Sequence, residues 1–438
     1  MKADLYARDA AALSSMSHLR FFPQAVTGGK GCWLKSDDGR DLLDFSGSWG
    51  AVGLGHAHPA IREAVNIALS SQAGASLLST ANEPATLLAE RLLELVPERA
   101  RGRVWLGHSG SDANETVARA VQAATGRTRI IAFEGGYHGG TTGSVAVSGH
   151  PVQDAGARMP GLSLIPFPNA LRDGGPQAAS ELSLGRLRAL LEGEIPANDV
   201  AAMFIEPIQS DGGMLVAPDG YFCEVESLCR RYGILLVCDE VKVGLGRTGR
   251  LHCFEHLDIE PDIIVFGKAL GGGLPISAAV GPEAVMNHAS AFSFQTLHGN
   301  PVCASAALAV LDTIQREGLA ENAAQVGAHL AAGLRDLAKR HEWIGEVRGK
   351  GLALGAELVT GKDMAPAPLE TALTVYRAHQ LGLVLYYVGV SSNVLEFTPP
   401  LTLTKPEVDC GLSILDQAMT DVAQGKISKS DIAGFEGW

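Results

Sequence analysis

The sequence lacks the features that would place the protein in a membrane, on nucleic acid or in a disulfide-rich class. Its 438 residues contain no C-x-x-C pair, no apolar run of membrane-spanning length and no basic excess, since the formal net charge is −13. Nucleic acid and anionic membranes both attract clustered lysine and arginine, which an acidic chain offers poorly. We therefore expect small-molecule partners, with no nucleic acid and no membrane.

The seven cysteines are scattered and odd in number. Such spacing argues against a disulfide framework or a zinc site and favours reduced thiols. The first nine residues carry charge where a signal peptide needs an apolar core. These features predict a cytoplasmic protein, and we expect no metal.

Short apolar runs alternate with alanine- and leucine-rich segments of helical period through the middle of the chain, which predicts βαβ units in an α/β fold with a mainly parallel sheet. A large domain is expected over residues 56–310, with residues 1–55 and 311–438 together building a smaller α+β domain. The predicted strands of the large domain are Val104–Leu106, Arg129–Phe133, Ala201–Ile205, Ile234–Cys238 and Asp262–Phe266.

Lys268 follows the last of these apolar runs and precedes Gly271-Gly272-Gly273. Burial disfavours the ammonium form, so a lysine at the end of a buried strand becomes a nucleophile that can condense with an aldehyde. Pyridoxal phosphate (PLP) is the usual cofactor that needs such a lysine. It also needs a phosphate site and an anion at its pyridine nitrogen.

The run from Ser109 to Glu115 leads from a strand into an alanine-rich helix through small and hydroxylated residues. Backbone amides at the helix start, with the Ser109 and Ser111 hydroxyls, suit a phosphate. An ordinary serine N-cap explains the same pattern. The companion lysine makes phosphate the preferred interpretation.

Cys238-Asp239-Glu240-Val241 ends another apolar strand. Asp239 is our choice for the anion at the pyridine nitrogen, with Val241 against the ring. Alternation along a strand allows only one of the two carboxylates to face the site, so Glu240 stays an alternative.

At the end of a third strand, Tyr137 or His138 could stack on the cofactor, and the Tyr137 hydroxyl could move a proton. Tyr137 could equally be a packed core aromatic.

These residues resemble a PLP enzyme of the aspartate aminotransferase fold (fold type I), in the class III, ornithine-aminotransferase-like family, over nearly the whole chain. The motifs that carry the resemblance are Leu54-Gly55-His56-Ala57-His58-Pro59, the run from Ser109 to Glu115, Ile205-Glu206-Pro207-Ile208-Gln209, Asp239-Glu240-Val241, Gly246-Arg247-Thr248-Gly249, Lys268, Thr296 before Gly299-Asn300-Pro301, and Thr398-Pro399-Pro400-Leu401.

The resemblance implies that Gly110 and Ser111 hold the phosphate, Tyr137 stacks on the ring, Glu206 supports the pocket, and Lys268 binds the cofactor covalently. It also implies that Thr296 reaches the phosphate of a neighbouring subunit, and hence a homodimer with shared active sites.

Three departures from the family pattern bear on the substrate. Glu396 occupies the place where many family members have an arginine for the substrate carboxylate, which makes a free α-carboxylate an unfavourable substrate group. Ser210-Asp211 replaces a glycine and a glutamate, and with no arginine partner we expect Asp211 to have a raised pKa and a proton-transfer role, unless it merely caps a Gly-Gly turn. Lys242 replaces a glutamine near the cofactor's phenolic oxygen.

These departures, together with short runs such as Ser48-Trp49-Gly50-Ala51 and Tyr386-Tyr387-Val388-Gly389, resemble the α-amino-ε-caprolactam racemases within the family. The resemblance implies racemisation of an amino lactam or an amino-acid amide, with Trp49 lining the substrate pocket. Lys268 would serve one face of the α-carbon, and Asp211 or Tyr137 the other. An aminotransferase is the nearest alternative, because it shares every cofactor residue.

Overall fold

The computed structural model describes residues 4–71, 74–153, 160–435 and 437. Eighteen strands are described. They are β1 (Val26–Lys30), β2 (Trp33–Ser36), β3 (Asp41–Asp44), β4 (Arg103–Gly107), β5 (Arg129–Phe133), β6 (Leu162–Ile165), β7 (Val200–Ile205), β8 (Ile208–Gln209), β9 (Leu215–Val216), β10 (Leu235–Asp239), β11 (Ile263–Phe266), β12 (Ser277–Gly281), β13 (Ile344–Lys350), β14 (Ala353–Thr360), β15 (Ala365–Pro366), β16 (Leu383–Val384), β17 (Tyr386–Val388) and β18 (Val394–Phe397).

Thirteen α-helices are described as well. They are α1 (Leu5–Ala12), α2 (Gly47–Gly50), α3 (Pro59–Ser71), α4 (Glu83–Leu95), α5 (Gly110–Thr125), α6 (Thr142–Val145), α7 (Pro176–Ala189), α8 (Tyr221–Tyr232), α9 (Glu283–Met286), α10 (Pro301–Arg316), α11 (Leu319–Ala338), α12 (Pro368–Leu381) and α13 (Lys405–Ala423). Among the described residues, no helix combines the length and the apolar character that a membrane span needs.

A seven-stranded sheet in the order β4-β12-β11-β10-β7-β5-β6 forms the centre of the molecule. β12 pairs antiparallel with both of its neighbours, and the other pairs in this sheet are parallel. β7, β10 and β11 are almost wholly buried, because a parallel sheet covered by helices on both faces needs continuous apolar strands. The predicted mainly parallel α/β sheet is therefore confirmed.

The two ends of the chain meet in a second sheet. β16, from the C-terminal part, pairs in parallel with β3, from the N-terminal part, and extends the order β1-β2-β3-β16. A separate sheet contains β13, β14, β18 and β17, with β15 on β14. The predicted domain boundary at residue 310 falls within α10, which packs against α3 and α4.

The carboxyl ends of β7, β10 and β11 open toward one edge of the central sheet. Ligands of open α/β sheets bind at such an edge. Lys268 is the second residue after β11, Asp239 is the last residue of β10, and Glu206 follows β7. The fold thus brings three separate segments of the sequence to one site.

Candidate active site

A cavity of about 440 Å³ lies at this edge. It is lined by most of the residues that the sequence predicted for the cofactor or for proton transfer. These are Ser109, Gly110, Ser111, Tyr137, His138, Glu206, Asp211, Asp239, Val241, Lys242 and Lys268.

Lys268 begins a short 3₁₀ turn between Gly267 and Gly272 and has a positive φ of 42°, which is uncommon for a residue with a side chain. Burial lowers the pKa of its amine, and the nearby ammonium of Lys242 lowers it further. The carboxylates of Asp211 and Asp239 act in the opposite direction but do not outweigh burial. Lys268 therefore has the environment of a nucleophilic amine.

Asp239 is fixed by three hydrogen bonds. Its Oδ2 accepts from Asn114 Nδ2 at 2.7 Å and lies 2.9 Å from His138 Nδ1, while its Oδ1 accepts from the Val241 amide at 3.0 Å. Burial opposes a charged imidazole, but the bond to Asp239 outweighs it, so the pKa of His138 is raised. These bonds hold the Asp239 carboxylate on the cavity wall, a placement that suits a partner of a protonated pyridine nitrogen.

Glu240 points away from the cavity. Its carboxylate accepts from the amides of Cys253 and Phe254 at 2.9 and 2.8 Å, and burial raises its pKa to about 7. Of the two carboxylates left open by the sequence, Asp239 is the one on the cavity wall.

The residues expected to hold the phosphate lie at the start of α5. Ser109 is the N-cap: its Oγ accepts from the Asp112 amide at 3.3 Å, and Asp112 Oδ1 accepts from the Ser109 amide at 2.9 Å. The Ser109 hydroxyl thus serves the cap, the alternative that the sequence left open. Ser111 Oγ accepts from the Gly140 amide at 3.1 Å, and Gly110 and Ser111 are the first residues of α5, where the helix dipole favours an anion.

Glycines let the walls of this part of the cavity pack closely on each other. A Cβ on Gly110 would come within 2.7 Å of Val241, and one on Gly139 within 2.5 Å of Ser111. With Lys268, Asp239 and the start of α5 on one cavity, the residues present fit PLP.

Glu206 supports the wall beside Tyr137. It accepts from the Tyr137 amide at 3.0 Å and from the Ser210 amide at 3.1 Å, and burial raises its pKa to about 7. Burial, and then the charge of Asp211, raise the pKa of the Tyr137 phenol, while Lys242 lowers it to a smaller extent. Tyr137 therefore lines the cavity as a protonated phenol.

The contacts of Lys242 contradict the raised pKa that was predicted for Asp211. Its Nζ lies 2.8 Å from Asp211 Oδ1 and 2.7 Å from Glu396 Oε1, and all three side chains are buried. Burial alone would raise the pKa of Asp211, but Lys242 and Lys268 outweigh it, and the pKa is lowered. The expected raised pKa of Asp211 is wrong, because Lys242 replaces the partner that the sequence reasoning considered lost.

Trp49, Glu396 and Thr296 are not among the residues that line the cavity. The centroid of the Trp49 ring lies 5.0 Å from Lys242 Nζ, and this ring stacks on Tyr386. Trp49 and Glu396 therefore both contact Lys242, which does line the cavity. Thr296 is exposed on the surface of the chain.

Sequence reasoning missed Asn114 and His298. Asn114 lies within the Ser109–Glu115 motif, but only its position on the inner face of α5 reveals the bond to Asp239.

His298 Nε2 lies 3.4 Å from Asp112 Oδ2, and these two residues with His108 form a cluster of potential metal ligands. Because His298 Nδ1 accepts from the Gln295 amide, its Nε2 carries the proton, which argues against metal binding through that atom.

Residues 15–419 match the profile of the family described as aminotransferase class-III. The chain belongs to this family. It is 36% identical over 442 residues to an alanine/serine racemase of Pyrococcus horikoshii, covering 97% of this chain and 92% of that protein. It is 35% identical to an isoleucine 2-epimerase of Lentilactobacillus buchneri, with 96% and 95% covered.

Among solved structures, the chain resembles an amine transaminase from an uncultivated Pseudomonas species in its PLP-bound form. The TM-score is 0.84 and the identity 31%, with 91% of this chain and 94% of the other covered. The expected fold type I and the PLP cofactor are therefore confirmed, and the protein is a class III PLP enzyme.

Proposed function

We propose that this class III enzyme is a racemase that inverts the α-carbon of an amino lactam or an α-amino-acid amide, with α-amino-ε-caprolactam as the expected substrate. The observation that carries the proposal is the placement of Lys268 and Asp211 on one cavity, with Lys242 held between Asp211 and Glu396. Two relatives named as a racemase and an epimerase support the reaction type.

Racemisation needs one proton-transfer group on each face of the α-carbon. Bound PLP supplies an electron sink that makes removal of the α-proton feasible. On one face we assign Lys268 Nζ, whose lowered pKa allows a neutral amine that accepts the proton. Asp239, with its bond to His138, would hold the pyridine nitrogen of bound PLP in its protonated form.

The second face is served by Asp211 or Tyr137. Their protonation states are complementary, because the lowered pKa of Asp211 keeps it ionised and the raised pKa of Tyr137 keeps it protonated. Asp211 can therefore accept a proton and Tyr137 can donate one. Inversion in both directions requires both abilities on that face.

The charge around Lys242 supports a neutral substrate group. A free α-carboxylate placed there would be a third carboxylate on one buried ammonium, and desolvating an unpaired charge is unfavourable by several kcal/mol. A lactam or amide offers a neutral carbonyl and N–H to the same groups. Trp49, stacked on Tyr386, packs against the Lys242 ammonium and adds no charge beside it.

Two alternatives have specific support. The relatives named as an alanine/serine racemase and an isoleucine 2-epimerase favour a racemase of free amino acids, in which Lys242 would have to exchange a partner for the substrate carboxylate. The similarity to an amine transaminase favours amino transfer to a keto acid.

A substrate panel separates these three functions. PLP-loaded enzyme is incubated with one enantiomer each of α-amino-ε-caprolactam, alanine amide and alanine, with and without a keto acid, and followed by chiral chromatography. We expect inversion of the lactam or the amide without a keto acid. Inversion of alanine alone supports the free-amino-acid racemase, and a product that forms only with a keto acid supports the aminotransferase.

We further propose a homodimer with shared sites. Thr296 is exposed, and Phe292, Phe294 and Leu297 in the same segment are 73%, 51% and 49% exposed. An exposed apolar segment of this kind is typical of a protein interface.

All seven cysteines are free thiols, which supports the proposed cytoplasmic location.

A further inference from the structure

Arg348, on β13, reaches from the C-terminal part of the chain to the loop that carries Asp211. Its Nε and Nη2 donate to the same acceptor, the Gly213 carbonyl, at 3.0 and 2.6 Å. The Arg348 side chain is only 8% exposed. Two bonds from a planar guanidinium to one oxygen fix the direction as well as the distance of that carbonyl.

Two glutamates hold the Arg348 guanidinium through its remaining nitrogen, Nη1. Nη1 donates to Glu357 Oε2 at 2.6 Å and to Glu346 Oε2 at 2.5 Å. Glu357 is buried and also binds Arg172 and Asn393. Burial would raise the pKa of Glu357, but the two arginines outweigh it and the pKa is lowered, so Glu357 stays a charged anchor.

The loop between β8 and β9 is tied at several points. Gly213 and Met214 both donate to the Ser210 carbonyl, which closes a tight turn around Asp211. The Asp211 carbonyl accepts from the Gly389 amide at 2.9 Å. Arg348 binds the carbonyl of Gly213, two residues after Asp211. The backbone around Asp211 is therefore fixed on the side away from the cavity, while the Asp211 carboxylate binds Lys242 on the cavity side.

Gly213 gives the loop its dependence on this contact. Its φ of 129° is accessible to glycine and strained for other residues. Because glycine has no side chain, no side-chain contact of its own holds the Gly213 peptide in place. A loop with a glycine pair at residues 212 and 213 depends on external contacts to hold one conformation.

We propose that Arg348 is a positioning residue, which acts through the Gly213 carbonyl to set where the Asp211 carboxylate stands in the cavity. This inference rests on the proposed function, in which Asp211 serves one face of the α-carbon. Arg348 does not line the cavity, so any effect it has on proton transfer passes through the loop.

The test uses Arg348→Lys and Arg348→Met in the PLP-loaded enzyme, with Arg340→Lys as the matched control. Arg340 lies in the same C-terminal part but pairs with the partly exposed Asp416. The α-deuterium exchange of each enantiomer of the substrate is measured separately in heavy water. We expect Arg348→Met to slow the exchange of one enantiomer about 100-fold in kcat with little change in KM, the cost of a small misplacement of a reacting group.

The other enantiomer, whose proton is removed by Lys268, should exchange at nearly the wild-type rate. Arg348→Lys, which keeps a single donor, should recover part of the loss, and Arg340→Lys should behave as wild type. Equal slowing of both enantiomers would overturn the proposal, because a general structural defect does not distinguish the two faces.

Two further measurements separate the possible failures. In an Asp211→Asn background, Arg348→Met should add no further loss, since both changes act through one group; additive losses would overturn the positioning role while leaving the racemase intact. Amide hydrogen exchange of residues 208–216 should accelerate in Arg348→Met and be unchanged in Arg340→Lys. A wild-type enzyme that exchanges neither enantiomer would overturn the proposed function, and this inference with it.

Discussion

Lys242 Nζ lies 2.8 Å from Asp211 Oδ1 in a buried ion pair at the edge of the cavity. The same ammonium also binds Glu396, so one cation balances two carboxylates. The pKa of Lys242 is raised, because its two carboxylates outweigh the opposing effect of burial. Lys242 is therefore a fixed charge, and it lowers the pKa values of Asp211 and of Lys268.

Removing this cation should cost much of the stability of the site. Lys242→Met leaves two buried carboxylates unpaired, and we expect a loss of about 3–5 kcal/mol in the free energy of unfolding, as for other broken buried pairs. Lys242→Met/Glu396→Gln, which removes one of those charges, should recover part of the loss. Denaturant titration of the three proteins measures this, and equal stability of Lys242→Met and wild type would contradict the charge balance described.

Asp211→Asn should separate cofactor binding from inversion. The amide keeps the shape of the side chain and loses its ability to accept a proton, so we expect inversion to fall by about 10²–10⁴-fold. The absorbance of bound PLP should stay at the wild-type level, since Lys268 and Asp239 are untouched. Full inversion by the variant would remove Asp211 from the reaction and leave Tyr137 as the second-face group.

Glu240 should make stability depend on pH. Its pKa rises from 4.5 to about 7 on folding, so the folded state binds this proton more tightly than the unfolded state does. The contribution is fully present below about pH 4.5 and is lost as the pH rises through about 7, with a maximum of about 3 kcal/mol.

Glu240→Gln should therefore lose less stability than wild type between about pH 5 and about pH 8, measured by denaturant titration at both pH values. Glu94→Gln is the control, because Glu94 is 68% exposed. The same pH dependence in wild type and Glu240→Gln would mean that Glu240 is ionised throughout.

The exposed segment around Thr296 should form the subunit interface. Phe292→Asp places a charge on a side chain that is 73% exposed in the single chain, so it should shift a dimer toward monomer and lower the PLP content with it. Leu182→Asp, at another exposed apolar residue, should leave the assembly unchanged. Light scattering after size-exclusion chromatography gives the mass of each variant. A wild-type monomer that retains PLP would contradict the shared site.

The central sheet could be predicted well from the sequence because its buried strands are continuous apolar runs. The prediction for Arg129–Phe133 matches β5 at both ends. The boundary between α10 and α11 is harder to predict, because it depends on Gly318, which adopts a left-handed φ of 60° between them. The sequence alone does not tell which φ a glycine inside a helical pattern adopts.

The contacts around the substrate end of the site could not be predicted. Asp211, Lys242 and Glu396 are separated by long stretches of chain, and only the packed fold shows that the lysine lies between the two acids. The motif of each segment singled out these residues, but the sign of the pKa shift of Asp211 depends on a pairing that no local pattern encodes. The same holds for Arg348 and Gly213.

The most direct test of the account is proton NMR with chiral chromatography. PLP-loaded enzyme is incubated in heavy water with one enantiomer of α-amino-ε-caprolactam and no keto acid. We expect deuterium to enter the α-carbon while the opposite enantiomer accumulates. If the substrate stays unchanged until a keto acid is added and amino transfer then begins, the protein is an aminotransferase, and the roles assigned to Lys268 and Asp211 in inversion are wrong.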